Sequence, residues 1–248
     1  MARYNLRWQK ADPIQTFVEF SLSWLEERHY TLVVDPEMAG WVEVMRSTAT
    51  ARFVNPAFDP AHSRLSPTNS FWIDIRSGSS TIATSAARLL VTDDYMEMKR
   101  SLRLWYENPP KEYGSLTLTA AEMPLISGRV GHEGGLWIHP EFRKQGLSVI
   151  LPHLNRAFCL REWDVDWQTG IVHRGIAERG LARYAYGFPH LVQCSTGYLP
   201  VTGKVDPLYL VYLSKAELLA GIDLDAVAQL LPNRNREPMH ATLGVLKG

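Results

Sequence analysis

Apolar residues recur along this chain with two spacings, one typical of amphipathic helices and the other typical of strands. Helical spacing over residues 12–29 predicts a first helix, with Asp12 as its N-cap and Pro13 at its first position. A short strand over 30–34 and a second helix over 36–45 follow. The apolar positions of the first helix are Ile14, Phe17, Val18, Leu22 and Leu25.

The middle of the chain contains a predicted hairpin. Residues 71–76 alternate between apolar and polar, a Ser-Gly-Ser-Ser turn follows, and residues 81–91 return as the partner strand. Asp94 is expected to cap a helix over 94–106. Before the hairpin, residues 51–69 carry Asn-Pro, Asp-Pro and Ser-Pro pairs, which predict a loop or lid.

The second half of the chain alternates strands and helices, which predicts a mixed α/β sheet with helices on both faces. Ser214 and Glu217 match a capping box and predict the start of a C-terminal helix. Pro152 is expected to kink the longest helix. The predicted elements are a strand ending near 138, a helix over 146–161, a strand over 167–173, a helix over 175–186, and strands over 191–198 and 208–213.

The length of 248 residues suits one well-buried domain. We expect residues 1–248 to form that single domain. Within it, 1–70 would supply N-terminal helices and a lid-like loop, 71–213 the core, and 214–248 a C-terminal helix and a loosely ordered tail.

Composition excludes several classes of function. The formal net charge is zero, which argues against a nucleic-acid partner or an anionic membrane surface. No apolar run approaches the roughly 20 residues that span a bilayer. Residues 1–13 lack the apolar core of a signal peptide, so a cytoplasmic location is expected. Cys159 and Cys194 are predicted to be small buried side chains rather than a disulfide or zinc ligands.

The segment 134–148 is the most informative part of the chain. An apolar strand ends at a Pro-marked turn, and a basic, glycine-containing loop then opens onto a helical pattern. The first amides of a helix lack internal partners and carry partial positive charge. Arg143 and Lys144 add formal charge beside them, and Gly146 permits close approach of a ligand. The segment therefore predicts a phosphate or diphosphate site.

The same residues resemble those of a known family. Arg143-x-x-Gly146-x-Ser148 is similar to the Arg/Gln-x-x-Gly-x-Gly/Ala signature of GCN5-related N-acetyltransferases (GNAT), with serine in place of Gly or Ala. Residues 180–188 resemble the helix end of that family, where Ala-x-x-x-Tyr precedes Gly-Phe. The resemblance implies a mixed, mostly antiparallel central sheet whose fourth and fifth strands splay apart, with helices on both faces.

It also implies acetyl-coenzyme A as the acyl donor and no metal. In the family, the signature loop holds the diphosphate, and the backbone of the fourth strand pairs with the pantetheine arm. Gly134 and Gly135 then predict a bulge in that strand. The residues expected to contact the cofactor are Trp137, Ile138, His139, Arg143, Lys144, Gln145, Gly146, Leu147 and Ser148.

Transfer to an amine needs a base, and a departing thiolate is helped by an acid. The family often places a carboxylate on its fourth strand. Glu133 lies one residue away from that position, and a bulge at Gly134 would restore its phase. His139 and His173 are alternative bases. Tyr184 is the candidate acid and Tyr186 the second choice, each against an alternative role in aromatic packing.

The resemblance implies an acyl-CoA-dependent N-acyltransferase that transfers acetyl to a small-molecule or peptide amine by direct attack. Two alternatives stay open. In the first, the chain is a CoA-binding module without transfer activity. In the second, it is a transferase that uses another acceptor or a longer acyl chain. A homodimer is compatible with the sequence and not indicated by it.

Overall fold

The structure is a computed structural model that describes residues 13–48, 50, 53–111, 115–119, 123–199, 204–220 and 224–232. The predicted cap at Asp12 and the predicted tail after Pro232 lie outside these residues. Among the helices of the described part of the chain, none combines the length and apolar character that a membrane crossing requires.

The described residues form one twisted sheet in the order β1-β2-β3-β5-β6-β8-β7-β4. All neighbouring strands pair antiparallel except β5 and β6, which are parallel. This is the mixed, mostly antiparallel sheet that the sequence predicts. The strands are β1 (Tyr30–Asp35), β2 (Ser70–Ser77), β3 (Ser80–Thr92), β4 (Thr117–Leu118), β5 (Gly128–Ile138), β6 (Trp167–His173), β7 (His190–Leu199) and β8 (Lys204–Ser214).

Helices pack on both faces of the sheet. The helices are α1 (Pro13–Glu26), α2 (Met38–Ser47), α3 (Tyr95–Arg100), α4 (Leu147–Trp163), α5 (Arg174–Glu178), α6 (Leu181–Tyr184), α7 (Lys215–Ala220) and α8 (Leu224–Leu230). Helices α1 and α4 cover one side, which we call the α4 face, and bury Phe17, Phe71 and Phe158 there. Helix α2 covers part of the other side, the α2 face, where Trp41 and Trp72 are buried.

Several local predictions are confirmed by hydrogen bonds. The Asp94 side chain accepts from the amides of Met96 and Glu97 and caps α3. Ser214 and Glu217 form a reciprocal capping box before α7, in which each backbone amide donates to the other side chain. Helix α4 continues through Pro152. Cys159 and Cys194 are buried free thiols.

Two predicted helices are shorter than the apolar spacing suggests. The helix predicted over 94–106 ends at Arg100, because Leu102 adopts a left-handed backbone with a φ of 63°. The helix predicted over 175–186 is divided into α5 and α6, because Gly180 between them has a φ of 68°. The short strand β4 and the helix α8 were not predicted.

The segment predicted to be a loop or lid contributes to the core. Asn55 caps a short 3-10 turn over Pro56–Phe58 by accepting from the Ala57 amide. Phe58 is fully buried and stacks on the His132 ring at 5.7 Å between centroids. This part of the segment is therefore a fixed wall of the α2 face.

Candidate active site

The parallel strands β5 and β6 separate in the middle of the sheet. They pair from Val130 with Trp167 to Glu133 with Gly170, and no pairing follows. Strand β5 nevertheless continues to Ile138 and β6 to His173. The predicted splay is thus present, and it leaves an opening through the sheet at the carboxyl ends of both strands.

A bulge in β5 lies directly beside this opening. Ala86 of β3 pairs with Gly134, whereas Thr84 pairs with Trp137, so β5 carries one extra residue between these pairs. Gly135 adopts a φ of 62°, and a Cβ there would overlap the indole of Trp41. The bulge therefore follows Gly134 and lies beyond Glu133. It does not turn the Glu133 side chain, contrary to the phase correction that the sequence suggested.

The backbone of β5 after the bulge has free groups on its open side. The His139 amide donates to the Ile82 carbonyl of β3 at 2.8 Å, so His139 presents no free amide to a ligand. Backbone groups alternate in direction along a strand, so Ile138 and Leu136 direct theirs toward the splay. Consistent with this, the Ile138 carbonyl accepts a hydrogen bond from the Arg143 guanidinium at 3.2 Å.

The opening widens into a cavity of about 720 Å³ that passes from one face of the sheet to the other. On the α4 face its wall includes Asn155 and Tyr186, and on the α2 face it includes Trp105 and His132. Glu133 is the one carboxylate in its wall, within the described part of the chain. A volume of this size is typical of small-molecule sites.

Glu133 is buried on the α4 face of the sheet. Its carboxylate accepts a hydrogen bond from the Gln168 amide at 2.9 Å. Burial raises the pKa of Glu133 to about 7, although the nearby Arg156 guanidinium and the Gln168 hydrogen bond both lower it. A carboxyl that exchanges its proton near neutral pH has the property that a general base requires.

The two tyrosine candidates are placed very differently. Tyr184 is 65% exposed and does not line the cavity. Tyr186 lines it, and burial raises the pKa of its hydroxyl, with a smaller rise from Glu133 and an opposing effect of Arg179. Spacing alone favoured Tyr184, and the left-handed backbone at Gly180 divides the predicted helix into α5 and α6.

The two histidine candidates also differ. The His139 side chain accepts from the Glu141 amide at 3.4 Å and packs against Trp137 and Phe142, outside the cavity wall. His173 lines the cavity, and its Nδ1 is buried without a hydrogen-bond partner among the described residues. Burial lowers the pKa of His173 and so favours the neutral ring, while Asp206 opposes this.

The basic loop before α4 presents a series of free amides. Within the described residues, the amides from Lys144 to Ser148 donate no hydrogen bond. Lys144 has a φ of 64° and Gly146 a φ of 91°, so left-handed residues alternate with others along the loop. Such an alternation turns successive amides toward one concave point, an arrangement that binds anions. Both Arg143 and Lys144 are exposed beside it.

Gly146 has a second role that the sequence did not reveal. Its Cβ position is filled, with carbon atoms of Trp24 and Leu231 at 2.9 Å and of Pro232 at 3.0 Å. Gly146 and Leu147 are buried beneath these residues, and Ser148 is half-buried. One side of the loop is therefore covered by protein, and the exposed side is that of Arg143 and Lys144.

Other predicted cofactor residues hold the loop in place. Gln145 accepts from the Tyr30 hydroxyl at 2.9 Å and donates to the Glu141 carbonyl at 3.1 Å. The Trp137 side chain is buried on the α2 face, where its indole donates to Thr50 at 3.0 Å. The Gln145 side chain is thus engaged within the protein. The Trp137 backbone faces β3, as that of His139 does, and its indole lines the cavity.

Two buried polar residues near the cavity were not predicted. Arg156 lies beneath Glu133 on α4, and its Nη1 has no hydrogen-bond partner among the described residues. His132 contacts the Tyr95 hydroxyl and the Thr169 hydroxyl, each at 3.2 Å from Nδ1. Burial, and then Arg88, hold the pKa of His132 at about 3, so its ring is neutral. The available sequence signal for Arg156 was the Asn155-Arg156 pair between the apolar residues Leu154 and Ala157 of α4.

Within the described residues, no group of three or more His, Cys, Asp or Glu side chains is arranged to hold a metal ion. A scan against protein-family models finds no match for this sequence. A search of curated proteins finds no match either.

Several solved structures are similar in fold. Arabidopsis thaliana NAA60 in complex with acetyl-CoA is 12% identical with a TM-score of 0.46, over 75% of this chain and 99% of that one. Ribosomal-protein-S5-alanine acetyltransferase from Vibrio fischeri is 11% identical with a TM-score of 0.44, over 77% and 95%. FeeM, an N-acyl amino acid synthase from uncultured soil microbes, is 12% identical with a TM-score of 0.44, over 82% and 97%.

The resemblance to GCN5-related N-acetyltransferases is confirmed at the level of the fold. The mixed sheet with one parallel strand pair, the splay of that pair and the helices on both faces are the features that the resemblance implies. The ligands of this chain are therefore argued from its own residues.

Proposed function

We propose that this protein is an acyl-CoA-dependent N-acyltransferase that transfers an acyl group, acetyl in the simplest case, to an amine. The observation that carries the proposal is the position of the amide-lined loop relative to the splay. The loop from Lys144 to Ser148 follows β5 directly, and β5 forms one wall of the opening. A diphosphate in the loop would place the rest of an extended cofactor along the free edge of β5.

Glu133 acts as the base in this proposal. With a pKa of about 7, its carboxylate takes a proton from the acceptor ammonium, directly or through water, and frees the amine lone pair. The amine nitrogen then bonds to the thioester carbonyl carbon, whose oxygen becomes an oxyanion. The outward amides of Leu136 and Ile138 are placed to stabilise that charge.

Collapse of the tetrahedral intermediate breaks the carbon–sulfur bond and releases a thiolate. Tyr186 is the acid in this proposal and donates its proton to the sulfur. Its raised pKa keeps the hydroxyl protonated until the thiolate forms. The second proton that the nitrogen loses on forming the amide returns the tyrosinate to its neutral form, and the proton on Glu133 leaves to solvent. The exposed Tyr184 and the His139 side chain outside the cavity take no part. No cysteine or serine is needed as a nucleophile, because the amine attacks the thioester itself.

Binding of the cofactor is tested at Lys144, whose exposed side chain makes no hydrogen bond to any residue that the structure describes. Lys144→Glu should weaken CoA binding, measured by calorimetry, at least about tenfold, since it places a negative charge beside the diphosphate. Lys144→Gly retains the left-handed backbone and the free amides, so we expect only a few-fold loss. Lys111→Glu, an exposed charge reversal elsewhere, is the control.

Transfer is tested by release of free thiol from acetyl-CoA in the presence of amines. Amine-dependent release that falls in Glu133→Gln supports the proposal. CoA binding without thiol release for any amine would instead identify a binding module. Equal CoA affinity in the wild type and in Lys144→Glu would refute the diphosphate site. Gly146→Trp is unsuitable for this test, because any side chain there collides with Trp24 and Leu231.

A further inference from the structure

The part of the cavity on the α2 face, which we call the chamber, is built mainly by segments outside the central sheet. One wall is formed by Phe53 and Asn55. The opposite wall is formed by Leu102 and Trp105, which follow α3, and by Leu116. The diphosphate loop opens from α4 on the other face. A cofactor that enters from α4 therefore leaves this chamber to the acceptor.

The chamber is apolar and nearly uncharged. Among the described residues, no lysine, arginine or aspartate lines the cavity, and Glu133 is its one acidic residue. His132 and His173 also line it, and burial lowers the pKa of each, so both rings are neutral at neutral pH. A polycation would find a single counter-charge here. One amino group on an apolar body matches the wall better.

A strained backbone position helps to form this wall. Leu102 has a φ of 63°, which is unfavourable for a residue with a branched side chain, yet it is 7% exposed. The turn is held by the Leu104 amide donating to the Met98 carbonyl and the Trp105 amide donating to the Leu102 carbonyl, both at 3.0 Å. A glycine at this position would relieve the backbone strain, but it would leave the chamber without the apolar side chain that Leu102 provides.

His173 brings an unpaired polar group to the wall of the cavity among the described residues. His173 ends β6 beyond the last pair with β5, and by alternation from Thr169 its side chain lies on the α2 face. Its ring does not cap helix α5, and Nδ1 is buried without a partner within the described residues. An unpaired buried nitrogen is costly, and an N–H of a bound amine would satisfy it.

We propose that the acceptor is a primary amine carried on an apolar body, which lies between Leu102, Trp105 and Leu116 with its nitrogen toward His173. This rests on the proposed function, because the chamber is assigned to the acceptor rather than to the acyl chain. The reaction is the amide formation described above, in which the nitrogen–carbon bond replaces the carbon–sulfur bond.

Calorimetry with and without CoA tests the proposal, using 2-phenylethylamine, ethylamine and spermidine as probes. We expect 2-phenylethylamine to bind at least about tenfold more tightly than either other amine. Leu116→Asp should weaken its binding by at least about tenfold, because it places a charge in the apolar wall. Leu118→Asp is the matched control, since Leu118 is equally half-buried but does not line the cavity.

Equal binding of the three amines, or an unchanged affinity in Leu116→Asp, would overturn the assignment. The assignment would also be overturned if octanoyl-CoA competed with 2-phenylethylamine for binding and if Leu116→Asp impaired octanoyl transfer to ethylamine. These two results together would show that the chamber holds the acyl chain. The two levels of proposal fail separately. Binding of 2-phenylethylamine without any CoA binding would refute only the transferase. Transfer to all three amines with equal efficiency would refute only the acceptor class.

Discussion

Replacing Glu133 by glutamine tests both the stability and the mechanism of this protein. The substitution keeps the shape of the side chain and an acceptor oxygen for the Gln168 amide, so the fold should be retained. Burial holds the pKa of Glu133 at about 7, against an ordinary value of 4.5. At about 1.4 kcal/mol per pKa unit, ionised Glu133 lowers the free energy of unfolding by roughly 3 kcal/mol.

The sign of the effect follows from proton binding. Between pH 4.5 and about 7 the folded protein holds the Glu133 proton more tightly than the unfolded chain does. This contribution to stability is therefore fully present at low pH and is lost as the pH rises through the folded pKa. Glu133→Gln should be more stable than the wild type at pH 8, by up to about 3 kcal/mol, and should show no such gain at pH 4.

Activity should move in the opposite direction. General-base catalysis contributes about 10²- to 10⁴-fold, so thiol release by Glu133→Gln should fall by that factor at pH 8. The kcat/KM of the wild type should fall as the pH decreases below 7. The variant should lack this fall, which we call the acidic limb of the pH profile. The control is Glu141→Gln, which removes an exposed carboxylate from the segment between β5 and α4. A variant that keeps the wild-type rate, or keeps the acidic limb, would refute the assignment of the base.

Three further outcomes follow from neighbouring contacts. Arg156→Met should move the acidic limb of kcat/KM to higher pH, because the guanidinium lowers the pKa of the base; an unchanged pH profile would contradict this. Tyr186→Phe should lower kcat with unchanged CoA affinity, whereas Tyr184→Phe, on the exposed side, should leave both unchanged. Gly135→Ala should destabilise the fold in chemical denaturation by more than about 1 kcal/mol beyond Gly78→Ala, since both have positive φ but only the first lacks space.

The fold was predictable because its main elements have strong local signals. The hairpin of β2 and β3, the capping box at Ser214 and the cap at Asp94 each depend on residues close in sequence. Helix α3 was overestimated for the same reason. Apolar spacing continues to Trp105, but the tertiary fold turns the chain at Leu102 against its backbone preference, and no local pattern reports such strain.

The candidate site was predictable where it is made of backbone and less so where it is made of side chains. The loop signature located the series of free amides from Lys144 to Ser148. For the proposed acid, spacing favoured Tyr184, but Gly180 adopts a left-handed backbone and divides the helix, and Tyr186 rather than Tyr184 lines the cavity.

Glu133 shows why the position of a residue in the alternation of a strand is insufficient to decide whether it can be the proposed base. Its side chain lies on the α4 face, as strand alternation requires, and the bulge at Gly135 leaves that unchanged. It still reaches the cavity, because β6 departs from β5 at this residue and the opening exposes both faces of the sheet. In a closed sheet, the two faces would be separate and only one phase would serve. In a splayed sheet, a carboxylate on either face borders the same opening. The position at which the neighbouring strand separates therefore decides whether a carboxylate reaches the cavity, more than the face to which its side chain points.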